Sequence, residues 1–225
     1  MAKTNTSLIE RVAERVKAKF SAESSGHDWH HIRRVWQLAR EIAANEGADQ
    51  EVVELGALLH DIADWKFHGG DDTKGPQEAE RLLRQEGASQ RIIDQVVDIV
   101  ATISFKGAGV SSKMKTLEGE CVQDADRLDA IGAIGIARCF AYGGQAGRLM
   151  HDPDIPPVMH TSADAYKAAK GTSLNHFYEK LFLLKDRMNT ISGRALAEER
   201  HQYMKSFVAR FLEEWGAETA SASGL

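Results

Sequence analysis

The sequence predicts an all-α protein, and three observations carry that prediction. Apolar residues recur three and four positions apart through most of the chain, the spacing of one helix face. Only four prolines occur in 225 residues, and aromatic residues make up 7%. No stretch alternates apolar and polar residues as a half-buried strand would.

The elements follow in order. Ile9, Val12, Val16 and Phe20 mark a first amphipathic helix from Ser7 to Phe20. A loop covers Ser21 to Gly26, and Asp28 is placed to cap a second helix running to about Asn45. Asp49 caps a third, which ends near His60 to Asp64. The polar run His68 to Asp72 is a loop. Pro76 suits the first turn of a fourth helix that stops before Gly87. Ser89 opens a fifth, carrying Ile92, Ile93, Val96, Val97 and Val100. After a loop from Phe105 to Lys115, one long sixth helix is expected from about Leu117 to Tyr142. The stretch Gly143 to Gly171 holds Pro153, Pro156 and Pro157, and a loop of this length is usually functional or mobile. Two further helices, Ser173 to Met188 and Arg194 to Trp215, precede a frayed Ala/Ser/Gly tail. Residues 1–225 read as a single domain with its core between about 20 and 215.

Composition narrows the function. With 43% hydrophobic residues the chain can bury a sizeable core. A formal charge of -5 argues against duplex nucleic acid, which needs a clustered basic surface. Cys121 and Cys139 form neither a ligand-like pair nor a disulfide framework, so a reducing cytoplasm is expected. There is no signal-peptide core and no run of about 18 apolar residues, so no membrane role is expected. A homodimer is an admissible assembly.

Three of the expected helices each place a metal-ligand type on the face that should be buried. His31 lies one turn before Val35 on the stripe Val35, Leu38, Ala39, Ile42. His60 shares a face with Val53 and Ala57, and Asp61 follows at once. Asp126 interrupts the stripe Val122, Ala125, Ala133, Ile136. A lone histidine on such a face is usually a hydrogen-bonded core residue. A buried carboxylate is harder to explain, because an unpaired ionised group in the core is very costly. Asp61 and Asp126 would repel unless a cation lay between them, and no Lys or Arg on those stripes clearly neutralises both. One divalent ion (Mn, Mg, Fe, Co, Ni or Zn) held by His31, His60, Asp61 and Asp126 would do so. Such a set leaves coordination positions open, unlike closed structural zinc sites, which usually use cysteine.

The order His31, then His60-Asp61, then Asp126 resembles the H…HD…D signature of the HD-domain phosphohydrolase superfamily. The resemblance is closer to a bacterial branch of small stand-alone HD proteins. It is carried by Gly26-His27-Asp28-Trp29-His30-His31-Ile32-Arg33-Arg34-Val35, by Leu59-His60-Asp61-Ile62-Ala63-Asp64 and by Gln123-Asp124-Ala125-Asp126-Arg127-Leu128-Asp129. It extends to Ile103-Ser104-Phe105-Lys106 and to the segment Ser173 to Leu181. The resemblance implies an orthogonal helical bundle of the HD-domain type with one divalent metal. It also implies hydrolysis of a phosphate ester or anhydride, as in a nucleotide pyrophosphatase or phosphatase. No histidine lies between His68 and His151, which favours a mononuclear site over the dinuclear variants.

Around such a centre Asp64, three residues after Asp61, is the expected general acid or base, a role carried over by position. Because two carboxylates neutralise the metal, substrate phosphates need separate cations, and Arg34, Lys66, Lys106 and Arg127 are the expected contacts. Asp129 shares the face of Asp126 and is expected to support the metal ligands. The competing expectation is a metal-dependent nucleotide-binding sensor on the same fold, with ligands but no turnover.

Overall fold

The computed structural model describes residues 6–21, 28–63, 73–103, 113–159 and 171–216. Among these residues the chain is helical throughout, with no strand. The helices are α1 (Leu8–Phe20), α2 (Trp29–Glu46), α3 (Gln50–Leu59), α4 (Lys74–Gln85), α5 (Gln90–Thr102), α6 (Leu117–Asp129), α7 (Gly132–Gln145), α8 (Asn175–Glu179) and α9 (Ile191–Trp215). A 3-10 helix, Leu181–Arg187, lies between α8 and α9.

Local chemistry sets the helix starts. Ser7 and Glu10 form a reciprocal capping box on α1, while Asp28, Asp49 and Ser89 accept backbone N–H groups at the starts of α2, α3 and α5. Gly47 and Gly216 end α2 and α9 in the left-handed conformation. α2 packs against both α3 and α6, and α3 also meets α1, α5 and α6. These three helices bring their buried stripes together, so the interior is built from Ile32, Val35, Leu55, Leu58, Val122 and Leu128. α4 lies on α5, while α7 and the 3-10 helix pack on α9.

A buried carboxylate joins the two groups of helices. Asp124, fully enclosed on α6, accepts from Asn189 N (2.9 Å) and Nδ2 (2.9 Å) and from Thr190 N (2.8 Å) and Oγ1 (2.8 Å). Burial pushes its carboxyl above the ordinary range, and those donors oppose the shift. The start of α9 is thereby tied to the helix that carries Asp126.

Two expected helices are broken. The long helix expected from Leu117 to Tyr142 divides at Ala130–Ile131 into α6 and α7. Gly132 there has φ +76°, a left-handed conformation that an L side chain adopts only at a cost. Gly135 then approaches the Ala130 carbonyl so closely that a Cβ would sit 2.2 Å from the oxygen. The apolar periodicity runs straight through this break and hides it. The second correction is the segment Ser173 to Met188, expected as one helix. At Lys180 the backbone leaves the helical region (φ -143°), dividing α8 from the 3-10 turn. Side chains three apart eclipse in a 3-10 helix, and Leu181 and Leu184 are both buried where this turn packs on α9.

Among the described residues, no helix is long and apolar enough to cross a membrane.

Gly132→Ala tests the break. The added methyl is forced into a left-handed backbone and meets the Arg200 Cγ at 3.1 Å. A loss of about 1–2 kcal/mol is expected from the backbone term alone, read as a lower urea midpoint at unchanged slope. An unchanged midpoint would show that the break tolerates a side chain.

Candidate metal centre

The centre is assembled from α2, the end of α3 and α6. On α2 the Asp28 cap accepts the His31 backbone N–H at 2.8 Å, fixing the first turn from which the His31 ring enters the core. His60 is the residue at which α3 ends, and its Nδ1 donates to the Ala57 carbonyl at 2.7 Å. The His31 Nδ1 donates to Asp129 Oδ2 at 2.7 Å. A carbonyl and an ionised carboxylate can only accept, so each imidazole carries its proton on Nδ1 and turns Nε2 inward.

The two inward nitrogens lie 3.2 Å apart. Asp61 Oδ2 is 3.3 Å from His31 Nε2 and 3.4 Å from His60 Nε2, and Asp126 Oδ1 is 3.7 and 3.9 Å from the same atoms. Ligand atoms of His31, His60 and Asp126 all fall within 4.8 Å of one another. Both rings are essentially buried, whereas the Asp126 side chain is 39% exposed, so the cluster opens to solvent on the Asp126 side.

This donor set fits a divalent cation. Two neutral imidazoles would direct lone pairs at each other across 3.2 Å beside two carboxylates. Only a positive charge between them resolves that arrangement. In its absence protons do the work. Burial lowers the His60 pKa, but Asp61 and then Asp126 reverse the shift and raise it to about 9. His31 is likewise lowered by burial and raised overall by Asp129 and Asp61. Cation binding at neutral pH must therefore displace protons.

Asp129 sits behind His31, almost fully buried, and is the point where several charges meet. It accepts Arg34 Nε at 2.6 Å and Nη2 at 3.1 Å, together with Arg138 Nη1 at 2.8 Å. Burial opposes its charge, yet the His31 and Arg34 hydrogen bonds and the Arg138 charge outweigh that and hold the carboxyl well below the usual range. Arg34, read from sequence as a phosphate contact, is thus engaged as a fork on Asp129, with its side chain a third exposed.

Arg127 needs a correction. Its guanidinium donates to the Arg187 carbonyl and lies 4.0 Å from Asp124, with only 9% of the side chain exposed. Neighbours in a helix point about 100° apart, so adjacency to Asp126 does not by itself aim Arg127 at the cluster. It ties α6 to the 3-10 helix instead. Asp64, Lys66 and Lys106 lie outside the described residues. Arg138 was missed by the sequence reading. Its signal was available, since it is the only charged residue in Gly132–Gln145.

The other described histidines stand apart. His30 is exposed. His151 packs edge-on against Phe211 and Trp215, and His201 against Phe182. His176 is partly buried, and desolvation together with Lys180 and Arg148 lowers its pKa to about 3.

A helical core that brings a histidine, a His-Asp pair and a later aspartate to one point defines an HD domain. The chain belongs to the HD domain family, whose model matches residues 28–131 and so includes all four cluster residues. It is 40% identical over 200 residues to the uncharacterized protein YpgQ of Bacillus subtilis, covering 88% of this chain and 89% of that one. A crystal structure from Lactobacillus plantarum is similar at TM-score 0.81 and 37% identity, covering 97% of this chain and all of that one (100%). An HD-superfamily hydrolase from Bacillus thuringiensis gives 0.74 and 42%, over 93% and 97% of the two chains. Bacillus subtilis YpgQ in complex with ADP gives 0.71 and 37%, over 90% and 97%.

The raised histidines set a pH dependence for the metal-free protein. His60 binds its proton more tightly when folded (about 9) than when unfolded (6.5). The stabilisation is full below 6.5 and is lost as pH rises through 9. Thermal melts in chelator should therefore fall between those values, and His60→Gln should flatten that part of the profile. A metal-free melting temperature that rises over this interval would contradict the assignment.

Proposed function

We propose that this chain is a metal-dependent phosphohydrolase that cleaves a phosphate ester or anhydride in a nucleotide. The observation that carries the reading is the convergence of two imidazole Nε2 atoms, 3.2 Å apart, with two carboxylates at a point open to solvent. His31, His60, Asp61 and Asp126 would hold the ion, and none of them is cysteine, as an open hydrolytic site prefers over a closed structural one. Such an ion supplies stabilisation of charge on a phosphoryl oxygen and activation of water. The ADP complex of the related YpgQ supports a nucleoside phosphate as ligand.

The chain's own residues supply the rest. Asp129 orients His31, so that Nε2 and not Nδ1 faces the cluster. Asp64 takes or gives the proton that the reaction moves. Lys66 and Lys106 balance the phosphate charge, and the exposed edge of Arg34 adds to them while its fork stays on Asp129. Arg127 is assigned no substrate contact, because its guanidinium is held against the Arg187 carbonyl.

A screen of nucleotides and phosphomonoesters with each of Mn, Mg, Fe, Co, Ni and Zn, with product identification, tests the reading. Metal-dependent turnover of a nucleotide is expected. Asp61→Ala should abolish both metal binding and hydrolysis yet stay folded, and its metal-free melting temperature should fall modestly at neutral pH, since Asp61 is the main charge facing the protonated His60. Nucleotide binding without turnover across the whole panel would make the chain a sensor.

Asp64→Asn divides the chemistry further. The metal should be retained, while kcat falls by about a hundred- to ten-thousand-fold, the size of a lost proton-transfer group, with KM little changed. Full metal content with near-normal kcat would remove Asp64 from the mechanism.

A further inference from the structure

We propose that Arg138 is a positioning residue for the metal centre: from α7 it locks the Asp129 carboxylate that holds His31 in its ligating orientation. The inference rests on reading the cluster as a divalent-metal site, and it is independent of whether the site hydrolyses anything.

The geometry is specific. Asp129 Oδ2 accepts from His31 Nδ1 (2.7 Å), Arg34 Nη2 (3.1 Å) and Arg138 Nη1 (2.8 Å), and Oδ1 accepts from Arg34 Nε (2.6 Å). Three of those four donors come from α2, because Arg34 follows His31 by one turn. They fix Asp129 relative to α2 but would let the carboxylate and the ring shift together. Arg138 brings a reference from another helix. It reaches Asp129, nine residues earlier, across the helix break at Gly132.

The pairing also explains the residue. In Gly132–Gln145 Arg138 is the lone charge, and a half-buried guanidinium in an apolar helix is unfavourable unless it is paired. Asp129 needs no second arginine for charge balance, since Arg34 already supplies a bidentate partner at 2.6 and 3.1 Å. The second guanidinium adds orientation. Groups that orient ligating histidines typically contribute 10–100-fold in metal affinity.

The test is Mn2+ titration by calorimetry on the metal-free full-length protein, comparing wild type, Arg138→Met and Arg138→Lys, with melting curves of each. Arg138→Met keeps the packing volume and should weaken Mn2+ binding by about 10–100-fold. Arg138→Lys should recover most of that, because Arg138 makes a single-point contact that an ammonium can replace. The His31 Nδ1–H signal in the NMR spectrum of the metal-free protein should be sharp in wild type and in Arg138→Lys, and lost to exchange in Arg138→Met. A purely structural ion pair would lower the melting temperature of Arg138→Met while leaving Mn2+ affinity and the His31 signal unchanged, which overturns the proposal. If Arg138→Met does not fold, Arg138→Gln gives the same comparison with a neutral donor. If wild type does not bind Mn2+, the same titration is run with Mg2+, Fe2+, Co2+, Ni2+ and Zn2+, and wild type that binds none of them would remove the metal reading itself, and this proposal with it.

Discussion

Each imidazole in the cluster has one nitrogen already committed, His31 to a carboxylate at 2.7 Å and His60 to a carbonyl at 2.7 Å. The remaining nitrogens are left facing each other, 3.2 Å apart, with Asp61 and Asp126 beside them. Neutral rings in that position repel, as do the two carboxylates. A positive charge at the centre turns four unfavourable neighbours into a coordinating set, and the surrounding structure serves to keep it from relaxing any other way. In the metal-free chain protons take that place, which is why His60 is raised to about 9.

The fold bears the cost of holding this arrangement. α2, α3 and α6 must keep their register for three helices to meet at one point, and the aliphatic interior between them provides the rigidity. Asp124, two residues before Asp126, ties α6 to the start of α9 through Asn189 and Thr190. Arg34 and Arg138 tie Asp129 to α2 and α7. Two buried carboxylates of α6 are therefore structural supports, while the more exposed Asp126 between them faces the opening. Because such a site forms only when folded, an ion bound there stabilises the whole domain by mass action.

The parts of the centre set by one helix face were legible in the sequence. His31 and His60 stand on apolar stripes, and periodicity alone states that they point inward, whereas Asp126, read from the same kind of stripe, faces the opening with its side chain 39% exposed. What depended on a change of direction was not legible. The apolar spacing through Leu117 to Tyr142 predicts one helix, and on a straight helix Arg138 would lie far from Asp129. The break at left-handed Gly132 starts a new helix, α7, and from it Arg138 makes the contact. Arg127 shows the complementary error, in which adjacency in sequence was read as proximity although a helix turns its neighbours apart. The engagement of Arg34 with Asp129, 95 residues away, carries no local signal in the sequence, which shows only its cation beside His31. Asp64, Lys66 and Lys106 fall outside the described residues, so their part in the site still rests on sequence and resemblance.

The central claim is that one divalent cation sits between His31, His60, Asp61 and Asp126. Anomalous diffraction from a crystal grown with Mn2+ tests it most directly. A single strong peak within coordination distance of His31 Nε2, His60 Nε2 and a carboxylate oxygen from each aspartate is predicted, with both Nδ1 atoms still on Asp129 and the Ala57 carbonyl. A manganese peak elsewhere, or none at this point with the four side chains fully ordered, would contradict the account.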